Sequence, residues 1–154
     1  RGDIRLGLFW RSTMDPDVIY ITALVHGAHN LKSLSFNIDG EFVSFKPSDT
    51  STNIWTEPGS KYFPPINKSQ RKYKINRQLI KRLVNAERVV VRLDLMRNYV
   101  EGVFSNDLPT MARPAFRTFY AMVWGDTLNT ETDYLRRGGD AAVLDFKNRQ
   151  TRGE

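Results

Sequence analysis

The stretch "SQRKYKINRQLIKRLVNAERVVVRL", Ser69–Leu93, holds eight Lys or Arg side chains and one acid, Glu87. Two readings compete for it. It is a surface that holds something anionic, or it is an ordinary strand, helix and strand whose outer side is solvated. Periodicity fixes the geometry first. In "RKYKIN", Tyr73 and Ile75 alternate with Lys72 and Lys74, the period of two of a strand with one wet face. Asn76 has the side chain to cap a helix by accepting from a free backbone N–H. Over "RQLIKRLVNAE", Leu79, Ile80, Leu83 and Val84 line up as one stripe at helical spacing, with Gln78, Lys81, Arg82 and Asn85 opposite. "RVVVRLDL" returns to a period of two, with Val89, Val91, Leu93 and Leu95 on one face and Val90, Arg92 and Asp94 on the other. The apolar stripe is expected to dock on a sheet while the cations stay wet.

Upstream the chain reads as strands. "DIRLGLFWR" alternates, "TMDPD" carries turn chemistry, and "VIYITALVH" is apolar on both faces, which predicts a central strand covered on both sides. In "LSFNIDGEFVSF" the Asp39-Gly40 pair fits a two-residue turn with positive φ. That turn sets Phe36 opposite Val43 and Leu34 opposite Phe45, so Leu34, Phe36, Ile38, Val43 and Phe45 share a face and Phe42 is the exception on the other. "STNIWTE" reads as a further short strand. "TEPGSKYFPPINK", Thr56 to Lys68, reads as irregular. Downstream, "MRN" turns the chain into "YVEGVFS". "LPTMARPAFRTFYAMVWG" then predicts a helix with Pro114 in its first turn, an aromatic stripe of Phe116, Phe119, Tyr120 and Val123, and a stop at Gly125. The order predicts an α+β domain over 1–125, a largely antiparallel sheet or sandwich with two helices packed on it, followed by a polar, partly flexible tail over 126–154 in which "AAVLDF" has the composition to dock.

The chain of 154 residues suits one domain and has ample core material. It contains no cysteine, which excludes disulfides, thiolate metal sites and a cysteine nucleophile. No apolar run approaches the roughly 20 residues of a membrane helix. A chain that opens on Arg1 reads as processed or trimmed, with room for a signal upstream. The net charge of +6 is uneven: Lys61 to Trp124 carries thirteen basic and four acidic side chains, and the rest sums to −3. Such asymmetry points to an anionic partner.

Catalytic signatures are sparse. "HGAH" sets His26 and His29 three apart, but no third histidine completes a zinc site. Asp15 with Asp17 and Asp39 with Glu41 fall in turns, where Asp bonds the local backbone. Asp94 and Glu101 fall on paired strands and are the candidate carboxylates of a small hydrolase, together with the two histidines. No nucleophile elbow, phosphate-binding loop or dinucleotide fingerprint occurs. "NKS" at Asn67 is a glycosylation triplet, and the terminal "RGD" has no evident role. No catalytic residue, metal or cofactor is expected.

The candidate partner-binding residues are Trp55, Tyr62 and Phe63 of the aromatic, proline-rich loop, together with Lys72, Lys74, Lys81, Arg82, Arg88 and Arg92. Loop aromatics either cover a core or form a recognition surface in which proline limits the entropy lost on binding. Nucleic-acid binding calls for exposed aromatics among the cations, and Tyr73 points away from its lysines. "LIKRLVNAERVVVRL", Leu79–Leu93, resembles the helix-to-strand segments of exported, lipoprotein-like bacterial envelope domains. That resemblance implies an envelope or periplasmic location. The expected function is a non-enzymatic binding or structural module recognising a protein or an anionic envelope surface. A nucleic-acid-associated protein using the same basic face is the alternative.

Overall fold

The computed structural model describes residues 3–104 and 112–125. The expected tail over 126–154, with "AAVLDF", and the start of the "RGD" triplet lie outside the described residues. In chain order the elements are β1 (Arg5–Phe9), β2 (Val18–His26), β3 (Leu34–Ile38), β4 (Glu41–Phe45), β5 (Asn53–Glu57), β6 (Ile66–Asn76), α1 (Arg77–Asn85), β7 (Val89–Asp94), β8 (Tyr99–Phe104) and α2 (Ala112–Trp124). The strands form two four-stranded antiparallel sheets, β1-β2-β6-β5 and β4-β3-β7-β8. Their inner faces meet in one core. Ile19, Ile21, Ala23 and Val25 of β2 with Tyr73 and Ile75 of β6 face Leu34 and Phe36 of β3 and Val89, Val91 and Leu93 of β7. The fold is α+β, and its sheet arrangement is the sandwich.

The β3–β4 hairpin adopts the register that its turn dictates: Phe36 opposes Val43 and Leu34 opposes Phe45. Asp39 and Gly40 have φ of 52° and 92°, and Asn37 Oδ1 accepts from the Gly40 N–H at 2.9 Å. Asp39 also works at long range. Its carboxylate accepts from the backbone N–H of Glu87 and Arg88 at 3.2 and 2.8 Å, tying the turn to the segment that starts β7.

α1 starts where its cap sits, with Asn76 Oδ1 accepting from the Leu79 N–H at 2.9 Å. Leu79, Ile80, Leu83 and Val84 are all buried, each stabilising the fold by about 1.5–3 kcal/mol relative to exposure. The helix links β6 of one sheet to β7 of the other and packs chiefly on α2, not flat on a sheet. Within α2, Phe116 and Tyr120 are buried, and Phe119 and Val123 are half-buried. Phe116 stacks edge-on against Phe104 at 4.9 Å, and Tyr120 lies 4.8 Å from Trp124. Arg117 donates to the Val84 carbonyl at the end of α1 at 3.0 Å. The helix stops at Gly125, whose φ is +68° and whose N–H returns to the Ala121 carbonyl at 2.8 Å.

Because the helices pair at one end of the sandwich, neither of them covers the outer face of β2, and this overturns the expectation for that strand among the described residues. That strand is central, but only Ile19, Ile21, Ala23 and Val25 are buried; Val18, Tyr20, Thr22 and Leu24 on its outer side are half-exposed. The segment expected to be irregular is also shorter. β5 and β6 are paired from Asn53↔Gln70 to Glu57↔Ile66, so Asn67 and Lys68 belong to an eleven-residue strand and the loop is confined to 58–65. Thr56 Oγ1 donates to Asn67 Oδ1 at 2.7 Å across this arm, a polar pairing that hydrophobic periodicity does not register.

Tyr73 sits at the centre of the core with its hydroxyl donating to the Lys32 carbonyl at 2.5 Å. Burial is the main reason its hydroxyl is pushed far above the ordinary phenol range; Arg71 opposes the shift and Asp49 and Asp94 add to it. A raised folded value means stability that is complete below about pH 10, the unfolded tyrosine's range, and lost as pH rises beyond it. Urea titrations at stepped pH are expected to show the gap in unfolding free energy between wild type and Tyr73→Phe narrowing above about pH 10. A gap independent of pH would contradict the assignment.

Candidate functional site

The helices occupy one end of the sandwich, and the antiparallel connections place four loops together at the opposite end. There the chain passes through 27–33, 46–52, 58–65 and the turn 95–98. The loops 27–33 and 46–52 are bonded to each other and to the inner face of β6. The Ser69 hydroxyl donates to the Gly27 carbonyl at 2.7 Å and accepts from the His29 N–H at 2.8 Å. Arg71, only 8% exposed, donates to the Leu31 carbonyl at 2.5 Å, to Asp49 Oδ1 at 3.0 Å and to the Asp49 carbonyl at 3.0 Å. The Leu31 N–H donates to Thr52 Oγ1 at 2.9 Å, and the Lys32 N–H to the Asp94 carbonyl at 2.7 Å. Buried polar groups satisfied in this way hold loops in one conformation.

The β5–β6 arm carries the loop 58–65 at this end. Ser60 and Phe63 exchange backbone bonds, N–H to carbonyl, at 2.8 and 3.3 Å, and the Tyr62 N–H donates to Ser60 Oγ at 3.3 Å. Gly59 lies so close beneath that a Cβ there would meet the Phe63 carbonyl oxygen at 2.5 Å. On this closed loop Tyr62 is 80% and Phe63 70% exposed. They do not cover a core. Ile54 and Ile66 on the shaft of the arm are exposed as well, whereas Trp55 is half-buried opposite Lys68. Lys68 is paired with Glu57, and Lys61 Nζ stands 5.8 Å from the Tyr62 ring centre. In the turn 95–98, Met96 is 67% exposed beside exposed Arg97. Lys32 and Lys46 are exposed on neighbouring loops, and among the described residues neither they nor Arg97 have an ion-pair partner.

The six cations expected to share a face do not. Lys72 and Lys74 lie on the outer side of β6, in the β1-β2-β6-β5 sheet. Arg92 lies on the outer side of β7, in the other sheet, where its Nε donates to Asp94 at 2.8 Å and its guanidinium stacks 3.9 Å from the Tyr99 ring. The bond to Asp94 is the leading reason its pKa is raised further. Arg82 pairs with Glu41 at 2.7 Å, Lys81 is exposed on α1, and Arg88 is exposed just before β7. A single strand-helix basic face is therefore replaced by separate surfaces.

One of these has features the sequence did not disclose. Register places Phe9 opposite Tyr20 and Tyr20 opposite Lys74, with Lys72 in the next row. The Phe9 ring has Arg11 at 5.1 Å and Lys72 at 5.9 Å. Aromatics and cations do interleave on this outer face, but across three strands.

Asp94 and Glu101 lie on the outer side of the β7–β8 pair, one row apart. Glu101 opposes Arg92 and Asp94 opposes Tyr99. Asp94 accepts from Arg92 with one oxygen and from Ser33 with the other. No group of three or more His, Asp or Glu side chains able to hold a metal occurs among the described residues. A cleft of about 430 Å³ opens between the edge strands β1 and β8, lined by Ile4, Leu6, Val91, Val103 and Phe104, and Glu101 is the candidate residue that borders it, without Asp94 or either histidine.

Sequence reasoning missed Arg71, Lys32, Lys46 and Arg97. For Arg71 the signal was present, since it shares the parity of Tyr73 and Ile75. Replacing Arg71 with Met is expected to cost about 2–3 kcal/mol, because the Leu31 carbonyl loses its buried donor. Tyr62→Ala with Phe63→Ala should stay within about 0.5 kcal/mol, as for other exposed positions. Chemical denaturation of the two variants checks both, and a large loss in the loop variant would mean that these rings support the fold. Comparison with protein families, with curated proteins and with solved structures finds no match for this chain.

Proposed function

We propose that this chain is a non-enzymatic binding module that recognises an anionic partner surface with the loop end of its sandwich. The observation that carries the reading is the exposure of Tyr62 and Phe63, at 80% and 70%, on a loop closed by its own backbone bonds. Exposed rings in a fixed geometry lose little entropy on binding. Lys32, Lys46, Lys61 and Arg97, which have no ion-pair partner among the described residues, surround that end and supply attraction to negative charge. The resemblance of Leu79–Leu93 to exported envelope domains supports a bacterial envelope as the setting. No helix among the described residues is long and apolar enough to cross a membrane, so the reading concerns contact with a surface.

Salt-gradient elution from immobilised heparin, used as a polyanion probe, tests this. Lys32→Ser with Lys61→Ser is expected to elute at clearly lower salt than Lys81→Ser with Arg82→Ser, although both remove two charges. Equal shifts would reduce the effect to net charge and remove the reading.

The second reading, association with single-stranded nucleic acid, is favoured by one observation: the Phe9 ring flanked by Arg11 and Lys72, beside Tyr20 and Lys74. Base–aromatic stacking between cations is the means by which open sheet faces hold single strands. On this reading, fluorescence anisotropy with an unrelated oligonucleotide shows salt-sensitive binding that Phe9→Ala and Lys72→Ala each weaken severalfold. Binding indifferent to both substitutions, or absent at low salt, would exclude the face.

A further inference from the structure

We propose that the surface taken by the loop end is a lipid bilayer bearing anionic phospholipid headgroups, with Tyr62 and Phe63 entering the boundary between headgroups and acyl chains. This rests on the reading above and names its partner.

Three features of the tip separate lipid from a protein or nucleic-acid partner. The first is the state of its backbone. Apolar medium offers no partner to a free N–H, so a segment that enters it must satisfy its donors internally. Between 60 and 65, the Ser60 and Phe63 N–H groups bond each other's carbonyls, the Tyr62 N–H bonds Ser60 Oγ, and Pro64 and Pro65 have no N–H at all. Only the Lys61 N–H is left without such provision. A strand-pairing or base-reading loop would keep its donors available, and this one does not.

The second is shape. The tip stands at the end of an arm whose shaft exposes Ile54 at 48% and Ile66 at 41%. A protruding pair of rings is far smaller than the roughly 800 Å² per partner of a standard protein interface. A bilayer closes around such a projection, and rings of this kind gather at the membrane interface, with the tyrosine hydroxyl directed to the wet side.

The third is the placement of charge around the rings. Lys61 lies 5.8 Å from the Tyr62 ring centre, at the height where a headgroup would meet it. Met96, 67% exposed, and Arg97 repeat the pairing of an apolar side chain with a cation in the turn 95–98 at the same end. Long cationic side chains there can extend to phosphate while the apolar ones go deeper.

Cosedimentation with phosphatidylcholine vesicles, with and without phosphatidylglycerol, tests the inference. Wild type is expected to bind the anionic vesicles in a salt-sensitive manner. Binding should weaken about fivefold for Lys61→Ser and about tenfold or more for Phe63→Ala, and stay within twofold for Lys72→Ala with Lys74→Ala. Phe63→Trp supplies a direct readout, a blue shift of the new tryptophan's emission, taken as the difference from wild type, when anionic vesicles are added. Heparin retention that depends on the loop end, with no vesicle binding, would overturn the lipid assignment and leave the anionic-surface reading standing. Vesicle binding without the blue shift, or displaced by an oligonucleotide through Phe9 and Lys72, would overturn insertion by the tip. Heparin retention indifferent to Lys32 and Lys61 would remove both readings.

Discussion

The alternation of β6 is the constraint on which the rest of this structure depends. Every second side chain from Ser69 to Ile75 is sealed between the sheets, while Lys72 and Lys74 between them stay in water. Shifting this strand by one residue would bury two lysines and expose Tyr73 and Ile75, so its register against β2 and β5 has no low-energy alternative. The strand then passes through Asn76 directly into α1, so the register also fixes where the helix begins and which of its faces meets the core.

The two halves of the strand's inner face do different work. Toward the helices it is apolar: Ile75 continues into the buried stripe of α1 and the aromatic packing of α2. Toward the loops it is polar, and Ser69, Arg71 and Tyr73 each bond the backbone of a segment distant in sequence. One end of the sandwich is closed by hydrophobic burial and the other by hydrogen bonds. Loops held by buried donors keep a shape, and the loop on the β5–β6 arm keeps its own through the bonds between Ser60 and Phe63, so its exposed rings have a defined position to offer a partner. The lipid contact proposed for them draws on that rigidity and on the N–H groups of Ser60, Tyr62 and Phe63 that the tip satisfies within itself.

Elements governed by local rules were legible in the sequence. The Asp39-Gly40 turn needs only positive φ, and the alternation around it agrees, so the hairpin's pairs follow from the sequence. The cap at Asn76, the four-residue stripe of α1 and the stop at Gly125 follow in the same way. The site was less legible. Whether Tyr62 and Phe63 cover a core or face water depends on how far an arm extends past its neighbours, and local periodicity carries no such information. Phe9, Tyr20 and Lys72 come together only through the pairing of three strands, so a search for aromatics along one strand overlooks them. Lys32, Lys46 and Arg97 are scattered over the chain and share an end because of topology.

By itself, then, the chain specified its periods, its turns and caps, and therefore the side of each element that is buried, because those choices are made by neighbours within a few residues. Tertiary structure decided which elements lie side by side. It put Lys72 and Arg92 on opposite sides of a sandwich and enclosed Arg71. It also left the outer side of β2 without a helix over it among the described residues, because two helices that bury their stripes on each other at one end have no apolar surface left to spread over a sheet.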